Sequence, residues 1–241
     1  MLKTVRDSIL KYLFILMTAL LAWPAVGAET QAALLIYQVE SPDEPTAINR
    51  LLVTADFLRL DRGTQDSGYI LFNRREGIIY SVNHEEASIL VIDPPPLSEA
   101  LQALAPEIQL KSEPVAEAPT VGGVKPDQWS LSADGTLCRN AFVLPELMPA
   151  AVAAYAEYLQ VLARQQALVL PSLPPEYQDA CDSANHVFAA DSLLDKGLPL
   201  NIWNERGYSE SLIDFRDDFQ VPESDFRLPD GYNRSNMDTG V

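Results

Sequence analysis

The chain has 241 residues, with 17 Lys and Arg against 34 Asp and Glu, a formal net charge of −17. A protein this acidic repels phosphate backbones and anionic bilayer surfaces, which excludes nucleic acid as a natural partner. Its acids are dispersed along the chain and read as a solubilising surface.

Residues 1–28 have the order of a cleavable signal peptide. Lys3, Arg6 and Lys11 precede the apolar run Tyr12 to Ala22, Pro24 breaks it, and Val26-Gly27-Ala28 supplies small residues before a cut between Ala28 and Glu29. The run is shorter than the ~20 residues that span a bilayer, so no stable transmembrane anchor is expected after cleavage. No cysteine follows it to carry a lipid. Removing three bases and one acid with the signal leaves 14 against 33, a net of −19. The expected location is the periplasm. A single domain is expected over 29–232, with 233–241 as a flexible tail.

From Ala33 to Asp93 the pattern is β. The runs "ALLIYQVE", "NRLLVT", "DFLRLD", "GYILFN", "GIIYSVN" and "SILVID" are rich in branched and aromatic residues. Turn formers separate them at Ser41-Pro42-Asp43, Thr54-Ala55-Asp56, Arg62-Gly63, Arg75-Glu76-Gly77 and His84-Glu85-Glu86, which predicts an antiparallel meander. His84 then falls on a hairpin tip. It adjoins Glu85, whereas a helical zinc motif needs ligands one turn apart. It is read as a solvated turn residue, whose change to alanine alters stability by no more than about 0.5 kcal/mol.

"PPP" at 94–96 stops the sheet. "LSEALQALA" fits a short amphipathic helix, and the proline- and glycine-marked stretch to 128 fits a loop-like crossing. "QWSLSADGTLCRNAFVL" predicts a hairpin around Asp134-Gly135. A helical insertion is expected at about 145–196. Its first helix runs from Glu146 to Ala167, with Met148, Val152, Tyr155, Leu159 and Leu162 on one face. A second helix is predicted from about Pro175 to Ala190, with Tyr177, Cys181, Ala184 and Phe188 inward and His186 on the opposite, exposed face. The end returns to β in "LPLNIWN" and "YSESLIDFRDDFQV". There Ile213, Phe215, Phe219 and Val221 are expected to share one face with Asp217, opposite Leu212, Asp214 and Arg216. Cys138 and Cys181 are the only cysteines. An even count in an exported chain argues for one disulfide between them; two free thiols are the alternative.

Sequence motifs for chemistry are missing. The chain has no phosphate-binding glycine loop, no His-Glu-x-x-His and no Gly-x-Ser-x-Gly elbow. Acids such as Asp182, Asp191, Asp195, Asp217 and Asp218 lie close in sequence, as chance allows among 34. No residue is assigned to catalysis, cofactor binding or metal binding, no cofactor is expected, and the protein is read as not an enzyme.

"RLLVTADFLRLDRG" with "GYILFNRREGIIYSVNHEEASILVI" resembles the hairpins of the outer-membrane lipoprotein carrier (LolA-like) half-barrel superfamily. "GLPLNIWN" and "SLIDFRDDFQVPESDFRLPDGYN" are similar to the closing strands of its small periplasmic relatives. The resemblance covers about two-thirds of the chain after the signal. It implies an incomplete antiparallel barrel whose concave, apolar side is covered by helices; the fold expected for this chain is α+β, a curved, half-barrel-like antiparallel sheet with an embedded helical pair. In the carriers that side receives acyl chains. The acidic balance and the insertion between Cys138 and Cys181 depart from the carriers, and no binding motif carries over. The leading expectation is a non-enzymatic periplasmic protein that binds an apolar ligand or a lipidated partner, a lipid or lipoprotein. A structural or interaction module with a filled core comes second, and an enzyme third.

Overall fold

The structure is a computed structural model that describes residues 28–63, 68–115, 120–121, 123–174 and 178–237. The expected signal segment up to Gly27 and the last four residues of the expected tail lie outside them. The fold is α+β: few helices on a large, curved, unclosed sheet of twelve strands. The strands are β1 Glu29–Ser41, β2 Glu44–Val53, β3 Phe57–Asp61, β4 Tyr69–Asn73, β5 Ile78–Asn83, β6 Ser88–Ile92, β7 Ile108–Pro114, β8 Asp127–Ala133, β9 Thr136–Leu144, β10 Leu198–Trp203, β11 Ser209–Pro222 and β12 Asn233–Asn236. Across the sheet they run β12-β6-β5-β4-β3-β2-β1-β11-β10-β9-β8-β7.

The predicted meander is β1 to β6, each strand antiparallel to the next. Its turns fall at the turn formers, with Gly77 at φ 69°. Asp134 and Gly135, at φ 49° and 79°, turn β8 into β9. Two positive φ angles in a two-residue loop match the strand twist, which is why Asp-Gly sits there.

β1 and β11 form the long central pair, and two irregularities bend it, at Ala32/Leu34 and Ile36/Tyr37. Each shift moves the side-chain alternation to the other face. Hence Leu212 and Phe215 pack on one side of the sheet, Phe219 and Val221 on the other, and Ile213 is 54% exposed. The single shared face expected for β11 is corrected by these shifts.

The 19-residue helix α2, Pro149–Ala167, lies across one face; the shorter α1, Glu99–Gln102, precedes it in the chain. α2 begins after Met148, whose left-handed φ of 49° holds it outside the helix, and Pro149 enters at the first turn, where its missing N–H costs nothing. Val152, Ala154, Tyr158 and Val161 pack on Leu35, Tyr37, Leu51, Leu58, Phe72 and Ile79. Tyr158 meets Phe72 edge to face at 6.1 Å. The predicted stripe of Met148, Val152, Tyr155, Leu159 and Leu162 joins the same cluster. The other face carries Leu34, Leu52, Leu71, Val82 and Ile89, covered by Phe226, Leu228 and Tyr232 of the C-terminal segment.

The predicted second helix is much shorter. α3, Ala180–Ser183, is capped by Asp179, whose carboxylate accepts the N–H of Asp182. It passes into a π-helical turn, Ala184–Phe188, closed by the N–H of Ala189 on the carbonyl of Ala184. Pro171 and Pro174 precede it, and residues 175–177 lie outside the described chain. The insertion is therefore one long helix and a short irregular cover.

Two further expectations change. Part of the expected loop crossing forms β7, which pairs with β8 along its length and ends the sheet with Lys111 and Pro114, residues that suit an edge. Part of the expected tail forms β12, parallel to β6. The N–H groups of Asn233 and Met237 reach the carbonyls of Ala87 and Val91, bonds that a scan for apolar alternation cannot see.

Candidate functional site

The half-buried hollow with both apolar walls and inward polar groups lies where β9, β10 and β11 pass under α2 and the cover of residues 182–194. Its volume is about 330 Å³. Hollows beside Asp61 and beside Phe226 are larger, about 490 Å³ each, but shallower. Leu159, Ala190, Leu193, Leu194, Pro199 and Ile202 supply the apolar wall.

Strand register aims the polar groups. Glu210 pairs with Ile202, and Ile202 with Ala141, so the three stand in a row across three strands. Arg139 and Tyr208 lie two residues from the row, on its face. In β9 the register shifts: Leu131 pairs with Arg139 and Ser132 with Leu137, which leaves Cys138 as the extra residue. Such a bulge re-aims a side chain, and this one turns Cys138 toward the cover. There it is bonded to Cys181 of α3, with Cα atoms 5.0 Å apart.

Other bonds fasten the cover. Arg206, in the β10–β11 turn, donates to Asp179 at 3.0 Å and pairs with Asp182 at 3.5 Å. Gln160 of α2 donates to the Asp191 carboxylate at 2.6 Å. Within the sheet beneath, the Tyr37 hydroxyl of β1 donates to the carbonyl of Pro199 in β10 at 3.1 Å.

Inside, Arg139 donates from Nη2 to the carbonyl of Ala189 at 2.8 Å. It forms no ion pair among the described residues, and its buried Nε has no hydrogen-bond partner. Burial pushes the guanidinium pKa down to about 10, against the pull of Tyr155, Glu210 and Tyr208, so the group keeps its charge at neutral pH. Glu210 accepts the Tyr208 hydroxyl at 3.0 Å. Burial raises its pKa, with the Tyr208 bond and the Arg139 charge opposing that rise. The Tyr208 and Tyr155 hydroxyls are raised too, by burial first and Glu210 second. Tyr155 makes no hydrogen bond among the described residues, and its side chain lines the pocket. Asn185 Oδ1 is buried without a partner.

The residues singled out from sequence fall in different places. Cys138 and Cys181 are joined behind the pocket wall. His186 is exposed, as expected, and with exposed Asp182 marks the pocket rim. Asp195, Asp217 and Asp218 are exposed and lie apart from it. His84 does sit in the turn between β5 and β6, but it is not free in solvent. Its Nδ1 lies 2.9 Å from the Tyr232 hydroxyl, and its ring stands 5.6 Å from that of Tyr69. The C-terminal segment folds back onto that turn, a long-range contact that local turn chemistry does not predict. Ala28 and Glu29 are described only as the entry to β1; no cleavage is visible in a fold. Among the described residues no group of three or more His, Cys, Asp or Glu side chains could hold a metal ion.

Arg139, Tyr208 and Glu210 were not distinguishable as site residues from sequence. The available signal was Arg139 alternating with Ala141 and Val143, both fully buried. A charge on the buried face of a strand is a feature that asks for a partner.

No family model and no curated protein matches the chain. Two solved structures of PNGF-II, in C2 and P21 space groups, align with it at TM-scores of 0.39 and 0.38 and 12% and 10% identity. The alignments cover 87% and 86% of this chain, which spans 31% and 32% of theirs.

Proposed function

We propose that the protein is an exported, non-enzymatic binding protein that holds one small molecule with an apolar body in the pocket between β9–β11 and the 182–194 cover. The observation that carries this reading is the pocket's composition: six apolar residues around a few inward polar groups whose bonding capacity the protein leaves partly unused. Its volume of about 330 Å³ sets the size of the guest. A cavity of about 150 Å³ takes a benzene, so this one takes roughly a dozen non-hydrogen atoms. That favours a single small molecule over the several acyl chains of a lipoprotein anchor.

Export rests on the order of residues 1–28 and agrees with the Cys138–Cys181 disulfide, a bond suited to an oxidising compartment such as the periplasm. No helix among the described residues is long and apolar enough to cross a membrane. A second reading, an interaction module, is favoured by α2, which fills much of the apolar face that the carriers keep for their cargo.

Native mass spectrometry of protein released from the periplasm tests the first reading. The expected result is a 1:1 complex with a small organic molecule, lost in Ile202→Trp, which fills the pocket. Bare protein that also takes up none of naphthalene, 3-phenylpropanoate, 2-phenylethylamine and L-phenylalanine, apolar-bodied probes within that size, would favour the interaction module.

A further inference from the structure

Two opposite charges face this pocket without pairing. Arg139 spends one N–H on Ala189, and Glu210 spends one carboxylate oxygen, Oε2, on Tyr208. Neither forms an ion pair among the described residues. Register explains the gap. Arg139 and Glu210 are two strands apart and offset by two residues, which places their backbones about 12 Å from each other. Both residues line the same pocket, together with Leu159, Leu193 and Ile202.

The charge balance narrows the guest. A neutral apolar molecule would leave the guanidinium sunk and unpaired. A simple anion would satisfy Arg139 but face Glu210, and a simple cation would do the reverse. Only a guest with both signs compensates each charge, and unpaired buried charge is what a binding site must avoid. The Tyr155 hydroxyl adds a further free polar group beside them.

We infer that the pocket takes a zwitterion with an apolar body, of the α-amino-acid type: its carboxylate on Arg139, its ammonium on Glu210, and its side chain against Leu159, Leu193 and Ile202. This assignment rests on the binding reading above and names its ligand class. The guest of roughly a dozen non-hydrogen atoms has the size of an aromatic or branched amino acid.

Calorimetry at neutral pH with four probes tests it: L-phenylalanine, 3-phenylpropanoate, which lacks the amine, 2-phenylethylamine, which lacks the carboxylate, and naphthalene, which is neutral and of similar size. The expected result is 1:1 binding of phenylalanine, with each truncated analogue about tenfold weaker or more. Arg139→Gln should reduce phenylalanine to the level of the amine while leaving the amine unchanged. Glu210→Gln should reduce it to the level of the carboxylate. The probe series on the unaltered protein decides the matter even if a variant fails to fold. Phenylpropanoate binding as tightly as phenylalanine would overturn the zwitterion and leave an anion site. Binding of naphthalene with no preference among the other three would overturn it while the apolar-ligand reading stands. No binding of any probe would overturn both.

Discussion

Cys138 and Cys181 join the bulge of β9 to the first turn of α3, and each has a pocket residue as its chain neighbour, Arg139 and Asp182. The bond therefore fixes the distance between a pocket wall and its cover. The loop it closes has a sequence separation of 43. Chain entropy for such a loop gives about 4 kcal/mol, a figure that native strain and residual structure reduce. Reduction should lower the melting temperature by several degrees. Hydrogen exchange should rise first in 180–196, with β2 to β5 still protected. Equal loss of protection in both regions would separate the disulfide from the pocket.

Glu210 makes stability depend on pH in a stated direction. Its carboxyl pKa is raised in the fold by burial, with the Tyr208 hydroxyl and Arg139 opposing. Below the ordinary carboxylate range both folded and unfolded chains hold the proton, and the group costs nothing. As pH rises through the unfolded value the unfolded chain loses its proton first. Stability then falls until the raised folded value is passed. Urea midpoints of Glu210→Gln should fall less than wild type over this window. Parallel curves would show that Glu210 is not held above its ordinary range.

Asp61 works with the opposite sign. Burial alone would raise its pKa, but Arg50 grips it with two bonds of 2.8 Å, Arg59 with one of 2.7 Å, and the N–H of Gly63 adds another. Together they hold it below the usual carboxylate range. Its contribution is present above the unfolded pKa and is lost as pH falls through the lowered folded one. Asp61→Asn should cost about 1.5–3 kcal/mol, since it removes the buried carboxylate that Arg50 and Arg59 share, while Arg50 stays partly exposed and Arg59 keeps its bond to the Asp225 carbonyl. A loss under 1 kcal/mol in denaturant titration would contradict this.

His84 should matter more than a free turn residue does. Its bond to Tyr232 and its contact with Tyr69 anchor the segment that leads into β12. His84→Ala should cost about 1 kcal/mol and speed exchange at Asn233 and Met237. Unchanged exchange at those amides would return His84 to the role of a plain turn.

The sequence was most legible where pattern is local. The β1–β6 runs, the Asp134-Gly135 turn and the long helix each follow from alternation, turn chemistry or a 3.6-residue stripe. It was least legible where long-range register decides. The bulges at Ala32/Leu34 and Ile36/Tyr37 reverse the faces of β11, and only the pairing with β1 reveals them. The pocket has the same origin. Arg139, Ile202 and Glu210 become neighbours because β9, β10 and β11 align in one register, which none of the three segments encodes alone.

The most direct measurement is a backbone amide NMR titration of the protein with L-phenylalanine. The account predicts saturable shifts that cluster at 139–141, 155–159, 185–194 and 202–210, and that disappear in Ile202→Trp. Shifts confined to the β2–β6 half of the sheet, or no shifts at saturating ligand, would contradict it.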